Sequence, residues 1–115
     1  MTMNRLADYL DHMRHAIADA QSFTEEMTQP DFEQDRRTQQ AVVMSLIVLG
    51  EAATKVMDQH PEFVAQHAEI PWRSMRGMRN RIAHGYFDID LAVVWDTVQT
   101  ALPELKDQLN TIDVG

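Results

Sequence analysis

The stretch from Arg37 to Met57, "RTQQAVVMSLIVLGEAATKVM", constrains the fold more than any other part of this 115-residue chain. At helical spacing its centre is apolar on nearly every side, as in a helix that is buried from several directions. Gly50 weakens the helical propensity of this stretch, but its missing side chain lets another backbone approach closely. We therefore predict a central helix that the other elements surround, with close packing at Gly50.

The N-terminal half outside this stretch also shows helical patterns. Apolar residues at three- and four-residue spacing indicate a first helix from about Asn4 to Phe23, with a face formed by Leu6, Tyr9, Leu10, Met13 and Ile17. A second helix is expected to begin near Asp31, with Pro30 suited to its first turn. "HPEF" ends the central helix, and a short helical piece follows it.

The C-terminal third predicts two longer helices. Pro71 suits the first turn of one of them, which we expect to stop near His84 because Gly85 is the residue type preferred just past a helix end. The other is expected to have Asp88 or Asp90 as its N-cap. Its apolar face is formed by Leu91, Val94, Trp95, Val98 and Leu102.

These segments together predict an all-α fold. Pro103 is expected to kink or split the last helix. Trp72 and Trp95 are interpreted as anchors of the core or of an interface. Because no segment shows sustained strand alternation, we predict an up-and-down bundle of four or five helices that forms a single domain over residues 1–115.

The composition restricts the compartment. The chain has no cysteine, which argues against a disulfide framework or a thiolate metal site and suits a reducing cytoplasm. The N-terminus has no apolar leader, and the longest apolar run, "AVVMSLIVLG", is too short to span a bilayer. We therefore expect a soluble cytoplasmic protein that does not enter a membrane.

The charge is distributed unevenly. A net charge of −8 argues against general nucleic-acid binding, which depends on neutralising phosphates with Lys and Arg. The chain nevertheless holds four of its ten basic residues, and none of its 18 acids, between residues 71 and 87. We call these four the arginine cluster: Arg73, Arg76, Arg79 and Arg81. A local cationic cluster on an acidic body suits a confined anion such as a phosphate.

The cluster overlaps the stretch "RNRIAHGY" at residues 79–86, which allows two interpretations. In the first, His84 and Gly85 simply close a helix. In the second, the stretch does chemistry, although Arg79 and His84 lie about 140° apart around an ideal helix, whereas Asn80 and His84 share a face. A site would then need a long arginine reach, an unwound helix end, or a second protomer.

The chemistry itself is coherent for RNA cleavage without a metal. That reaction needs a base for the ribose 2′-hydroxyl, a cation for the crowded phosphate and an acid for the leaving oxygen. His84 can serve as base or acid near neutral pH. Arg79 can hold a phosphate through two parallel hydrogen bonds, and Asn80 can orient the imidazole or the phosphate.

The stretch "WRSMRGMRNRIAHGYFDID" resembles the signature of the HEPN superfamily, and in particular of HepT-like toxins, whose motif is Arg, four residues, His, one residue, Tyr. Arg79, His84 and Tyr86 match that motif without a gap, and Asn80 matches the Asn that usually follows the Arg. "AVVMSLIVLGEAATKV" is similar to the central helix of that family with its Gly-Glu pair, and "VWDTVQTALPEL" to its final helix.

This resemblance implies a metal-independent ribonuclease toxin that needs no cofactor and works as a homodimer with the two motifs at the interface. Arg79 and His84 would be catalytic, and Asn80 and Tyr86 supporting. Arg73, Arg76 and Arg81 are candidates for contacts with RNA phosphates. The resemblance also implies a cognate antitoxin, a minimal nucleotidyltransferase of the MntA type, which silences the nuclease by transferring AMP from ATP to Tyr86.

The alternative is a binding module without chemistry, a helical subunit that holds substrate or nucleotide for a partner nucleotidyltransferase. The net charge of −8 favours it. Glu51, which follows Gly50, allows two interpretations: contact with the motif helix, or a carboxylate on the more polar edge of the central helix. We favour the second and leave Glu51 out of the catalytic set. Four polar residues of the first helix include a pair of histidines at a spacing that could bind a metal, but we interpret them as a solvated face: Asp8, Asp11, His12 and His15.

Overall fold

The computed structural model describes residues 5–112, and all regular structure in that range is helical. Seven α-helices follow one another there: α1 (Leu6–Phe23), α2 (Gln29–Gln34), α3 (Arg36–Gln59), α4 (Pro61–Gln66), α5 (Trp72–His84), α6 (Leu91–Asp96) and α7 (Leu102–Asn110). The predicted all-α fold class is confirmed. The expected start of the first helix at Asn4 lies outside the described residues, and the single domain over residues 1–115 stays a prediction.

The central position predicted for α3 is confirmed, because α3 packs between α1 and α5. Near the start of α1, the Tyr9 hydroxyl donates a 3.2 Å hydrogen bond to the Gln59 side chain at the end of α3, so these helices run antiparallel. The last helices close the bundle against α1, where Arg14 donates a 2.9 Å hydrogen bond to the Leu109 carbonyl. The core therefore gathers around α3.

The length of α3 bears on the question of a membrane. By length and composition alone, α3 is long and apolar enough to cross a membrane. The prediction from the sequence considered only the ten-residue run "AVVMSLIVLG", which is too short. Half of its apolar window is buried inside the protein, however. A single such helix is weak evidence for a membrane span, because the core helix of a soluble protein meets the same criteria of length and composition.

Helix boundaries follow the sequence signals with small differences. Thr28 and Asp31 form a reciprocal capping box, so α2 begins at Gln29, two residues before the predicted start. Asp90, rather than Asp88, caps α6 by accepting hydrogen bonds from two backbone amides. Pro71 lies just before α5 instead of in its first turn. The polar caps were therefore predictable to within a few residues.

Asp35 caps the N-terminus of α3. Its carboxylate accepts hydrogen bonds from the Thr38 backbone N–H at 3.1 Å and from the Thr38 hydroxyl at 2.8 Å. These bonds favour the charged form and lower the pKa of the Asp35 carboxyl from its ordinary value. The central helix therefore starts at a satisfied terminus.

The last helix is split before Pro103, as predicted. Pro103 has no backbone N–H, so the carbonyl of Gln99 lacks its usual α-helical donor four residues ahead. The chain forms a wider π-helical segment, Thr97–Ala101, between α6 and α7. Val98 and Leu102 are nevertheless buried, so the apolar face continues through the split.

The predicted close packing at Gly50 is confirmed by its contact with α5. A Cβ on Gly50 would lie 2.4 Å from the Arg79 Cβ and 2.9 Å from the Met75 carbonyl oxygen. One turn away on each helix, Leu46 and Ile82 line a common cleft, so α3 and α5 run antiparallel. The predicted up-and-down arrangement is therefore present.

We expect Gly50→Ala to lower the free energy of unfolding by about 1–3 kcal/mol, the usual cost of overpacking, because the Met75 backbone has to move. Gly77→Ala is the matched control, since a Cβ there meets only Arg81 Nη1 at 3.4 Å. Alanine is favoured over glycine in a helix interior by roughly 0.5–1 kcal/mol, so this control should be stabilised. Urea denaturation measures both values, and a Gly50→Ala variant as stable as wild type would contradict the contact.

Candidate active site

The outward face of α5 carries three of the residues singled out in the sequence. Arg73, Asn80 and His84 lie within about 40° of one another around the helix axis, with Arg76 about 60° from Arg73. Arg76 is half-buried, and the other three are exposed. Because α5 contains no acid, this face presents positive charge and an imidazole to solvent.

Arg79 faces the other way, toward α3. Its stem lies against Gly50, and its side chain is only 20% exposed. Arg79 Nη1 donates a charge-assisted hydrogen bond to Glu51 Oε1. Arg79 Nε is buried and has no hydrogen-bond partner among residues 5–112. The guanidinium is therefore held where α3 and α5 meet.

Glu51 is an exposed carboxylate of α3, and it also makes the contact with the motif helix that the sequence left open. It forms an ion pair with Arg79 across the contact between α3 and α5. The sequence held a signal for this pair, because Gly50 marks the point of closest approach and Glu51 is the next residue. Sequence reasoning considered a contact of Glu51 with the motif helix but did not identify Arg79 as its partner.

His84 is the last residue of α5, which is α-helical throughout. The amide of Gly85 donates a 2.9 Å hydrogen bond to the Arg81 carbonyl and continues the helical pattern past His84. The helix therefore does not unwind between Arg79 and His84, and the long arginine side chain reaches Glu51 instead of the histidine. The sequence allowed three ways to bring Arg79 and His84 together: a long arginine reach, an unwound helix end, or a second protomer. Within the single chain, the helix end is not unwound and the Arg79 side chain does not reach His84.

Tyr86 opens a 3-10 turn, Tyr86–Asp88, that follows α5. The Tyr86 ring is exposed and packs edge to face on Phe87, with ring centroids 5.8 Å apart. Phe87 itself is 97% exposed. Both rings line an open groove of about 450 Å³ together with Gln39 and Gln40. The motif tyrosine is thus accessible to a macromolecular partner.

Arg81 lies apart from the other members of the arginine cluster. It lines a cleft of about 250 Å³ between α3, α5 and α6, and the other lining residues include the acids Asp88 and Asp90 and the apolar Ile82 and Val94. Its contact with RNA phosphates stays a prediction, as do those of Arg73 and Arg76. Arg79, Asn80 and His84 do not line this cleft or the groove at Tyr86.

The polar residues of α1 do not form a joint site. Asp8, Asp11, His12 and His15 are all exposed, and Asp11 pairs with Arg14 at 3.1 Å. In the part of the chain that the structure describes, no three His, Asp or Glu side chains come together as potential metal ligands.

Both tryptophans belong to the core region. Trp72 is buried and donates a 3.0 Å hydrogen bond to the His67 carbonyl, while half-buried Trp95 packs on Phe32 with ring centroids 5.6 Å apart. Their interpretation as core anchors is confirmed.

The helical bundle and the motif at the end of α5 agree with a comparison against known families. Residues 13–112 match the family described as ribonuclease HepT-like. The chain belongs to this family, and the resemblance found in the sequence is confirmed. At the level of the family, the prediction that the chain is a ribonuclease is also confirmed.

Individual relatives agree with the family. A protein named probable ribonuclease HepT from Thermococcus cleftensis is 38% identical over 91% of this chain and 93% of its own length. A candidate RNase from Methanocaldococcus jannaschii is 35% identical over 85% of this chain and 75% of its own. A candidate RNase from Caldanaerobacter subterraneus is 35% identical over 71% of this chain and 70% of its own length. No solved structure gave a significant match.

Proposed function

We propose that this chain is the toxin of a bacterial or archaeal toxin–antitoxin pair, a cytoplasmic, metal-independent RNA endonuclease that acts as a homodimer. One observation carries the proposal. Arg79 and His84 lie on different sides of α5, and both are at least partly exposed. The active site then consists of residues from two protomers.

Each residue has a defined task in this proposal. His84 removes the proton from the ribose 2′-hydroxyl or supplies one to the leaving 5′-oxygen. The Arg79 guanidinium binds the scissile phosphate and stabilises the charge that builds up on it. Asn80, one turn before His84 on the same exposed face, orients the imidazole or the phosphate. The 2′-hydroxyl attacks phosphorus, and the bond to the 5′-oxygen breaks.

The open face of α3 supports the homodimer. Met44 is 59% exposed and Val48 is also exposed, although both are large apolar residues. They lie at helical spacing from Glu51, so one uncovered stripe of α3 leads directly to the Arg79 guanidinium. A second copy that covers this stripe would bury apolar surface and bring its own His84 toward Arg79.

His84→Ala should abolish RNA cleavage in vitro and toxicity on expression, because it removes the proton-transfer group. The loss in rate should be about 10²–10⁴-fold. The measurement is cleavage of total cellular RNA by the purified proteins, and His15→Ala, which changes an exposed histidine on α1, is the control. If wild type and His84→Ala cut RNA equally slowly and are equally harmless, the nuclease proposal fails.

A non-catalytic binding subunit remains the second candidate, because a protein with a net charge of −8 is a poor general RNA binder at physiological salt. The local charge answers this objection in part, since the outward face of α5 is cationic. Arg79→Lys separates the candidates. In a binding module this substitution would lower the affinity modestly. In a nuclease it should abolish activity, because lysine cannot make the two parallel hydrogen bonds by which arginine holds the phosphate.

Mixing two inactive variants tests whether the site spans two chains. We expect Arg79→Ala and His84→Ala, unfolded and refolded together, to regain about a quarter of wild-type activity, because half of the dimers are mixed and each mixed dimer has one intact site of two. Either variant refolded alone is the control. A mixture as inactive as its components would place Arg79 and His84 of one site in the same chain.

We further propose that a minimal nucleotidyltransferase antitoxin silences the nuclease at Tyr86. The phenolic oxygen attacks the α-phosphorus of ATP, AMP is transferred to the tyrosine, and pyrophosphate leaves. Tyr86 is exposed on the 3-10 turn two residues after His84 and is therefore accessible to such an enzyme. The added phosphate is a bulky anion near the cationic face and would repel RNA.

Tyr86→Phe should prevent this modification and keep the fold, because Tyr86 is an exposed residue and its ring is kept. The measurement is intact mass after coexpression with a minimal nucleotidyltransferase antitoxin: wild type should gain whole AMP units and Tyr86→Phe none. Tyr9→Phe is the control for the other tyrosine of the chain. Continued addition of AMP to Tyr86→Phe would show that the acceptor is another residue.

A further inference from the structure

The ion pair between Glu51 and Arg79 joins the proposed phosphate-binding cation to the central helix. Arg79 extends from α5, and Glu51 lies on α3. The pair is asymmetric in burial, because the Arg79 side chain is 20% exposed and the Glu51 side chain is 50% exposed. The carboxylate therefore meets the guanidinium at the solvent side of the contact between the helices.

The position of the Arg79 stem leaves little freedom to the rest of the side chain. Arg79 Cβ and Cγ lie directly over Gly50, where even a methyl group would overlap them. Arg79 Nε is buried without a hydrogen-bond partner among the described residues. No hydrogen bond from this nitrogen to those residues therefore replaces the bond to water that it loses on burial. The bond from Nη1 to Glu51 is the polar contact that the structure shows for this guanidinium.

We infer that Glu51 is a positioning residue of the nuclease. It binds one edge of the Arg79 guanidinium and so directs the remaining Nη N–H groups toward the open face of α3, where the scissile phosphate would bind. This inference rests on the proposed function. It adds a residue that does not touch RNA but acts through the one that does.

The charge of Glu51 gives the inference a distinctive kinetic signature. A carboxylate beside a phosphate-binding cation weakens its attraction for RNA in the ground state. Glu51 helps catalysis only if orienting the guanidinium stabilises the transition state by more than the negative charge weakens the attraction for RNA. Removal of Glu51 should therefore lower kcat while KM for RNA stays the same or falls.

Two substitutions at residue 51 separate orientation from charge. Glu51→Met removes both the charge and the hydrogen-bond acceptor at similar length, whereas Glu51→Gln removes the charge and keeps an acceptor oxygen. Asp58→Asn is the matched control, because Asp58 is exposed, lies on α3 and is about 20° from Glu51 around the helix. If Glu51 served only to mask Arg79, both substitutions at residue 51 would raise activity.

The experiment measures kcat and KM on a labelled oligoribonucleotide that spans a site cut by the wild-type protein. We expect kcat of Glu51→Met to fall roughly tenfold or more, as for loss of one hydrogen bond to a charged group. Glu51→Gln should retain most of the activity and Asp58→Asn all of it. Activity of Glu51→Met equal to or above wild type would overturn the inference.

A double-mutant cycle tests whether Glu51 acts through Arg79. Combined with Arg79→Ala, Glu51→Met should cause no further loss, because the group that it positions is already absent. A further loss of similar size would contradict the inference. Melting temperatures of the single variants at Glu51 should stay close to wild type, since a partly exposed ion pair contributes little to stability.

A readout that does not depend on cleavage keeps this inference separate from the nuclease proposal. Nitrogen-15 NMR reports rotation of the Arg79 guanidinium, which should be slow in wild type and in Asp58→Asn and fast in Glu51→Met. If wild type and His84→Ala are equally inactive but rotation is slow only with Glu51 present, the nuclease proposal alone fails. Equally fast rotation in wild type and Glu51→Met would overturn the positioning role.

Discussion

The close approach of α3 to α5 at Gly50 is the contact on which the rest of the structure depends. With no side chain on Gly50, the stem of Arg79 and the backbone at Met75 lie directly on the central helix. This spacing decides which face of α5 is covered and which face, with Asn80 and His84, stays open. The absence of a side chain at Gly50 therefore sets both how α5 packs and which of its side chains stay exposed.

The same contact explains why the two motif residues separate. Five positions along a helix turn a side chain by about 140°, so burying the Arg79 stem against α3 leaves His84 pointing away from it. The helix does not unwind to reunite them, because α5 remains regular to its last residue. This separation is the reason for proposing a site assembled from two chains.

Much of this architecture was predictable from the sequence. Periodicity located the long helices, and Pro103 marked the π-helical segment, because a missing N–H has a local effect. The partner of Arg79 was less predictable. Periodicity says which residues share a face, but not which residue of another helix meets that face, and that depends on the angle and spacing at which α3 and α5 pack.

The orientation of α5 has a further consequence for a cell that holds this protein. In the proposed assembly each active site takes Arg79 from one chain and His84 from the other, so a monomer has no complete site. The amount of active nuclease therefore follows the concentration of dimer. While most chains are monomeric, a tenfold rise in chain concentration raises the dimer about a hundredfold by mass action. A few stray copies would then be harmless, and toxicity would appear above a threshold of expression.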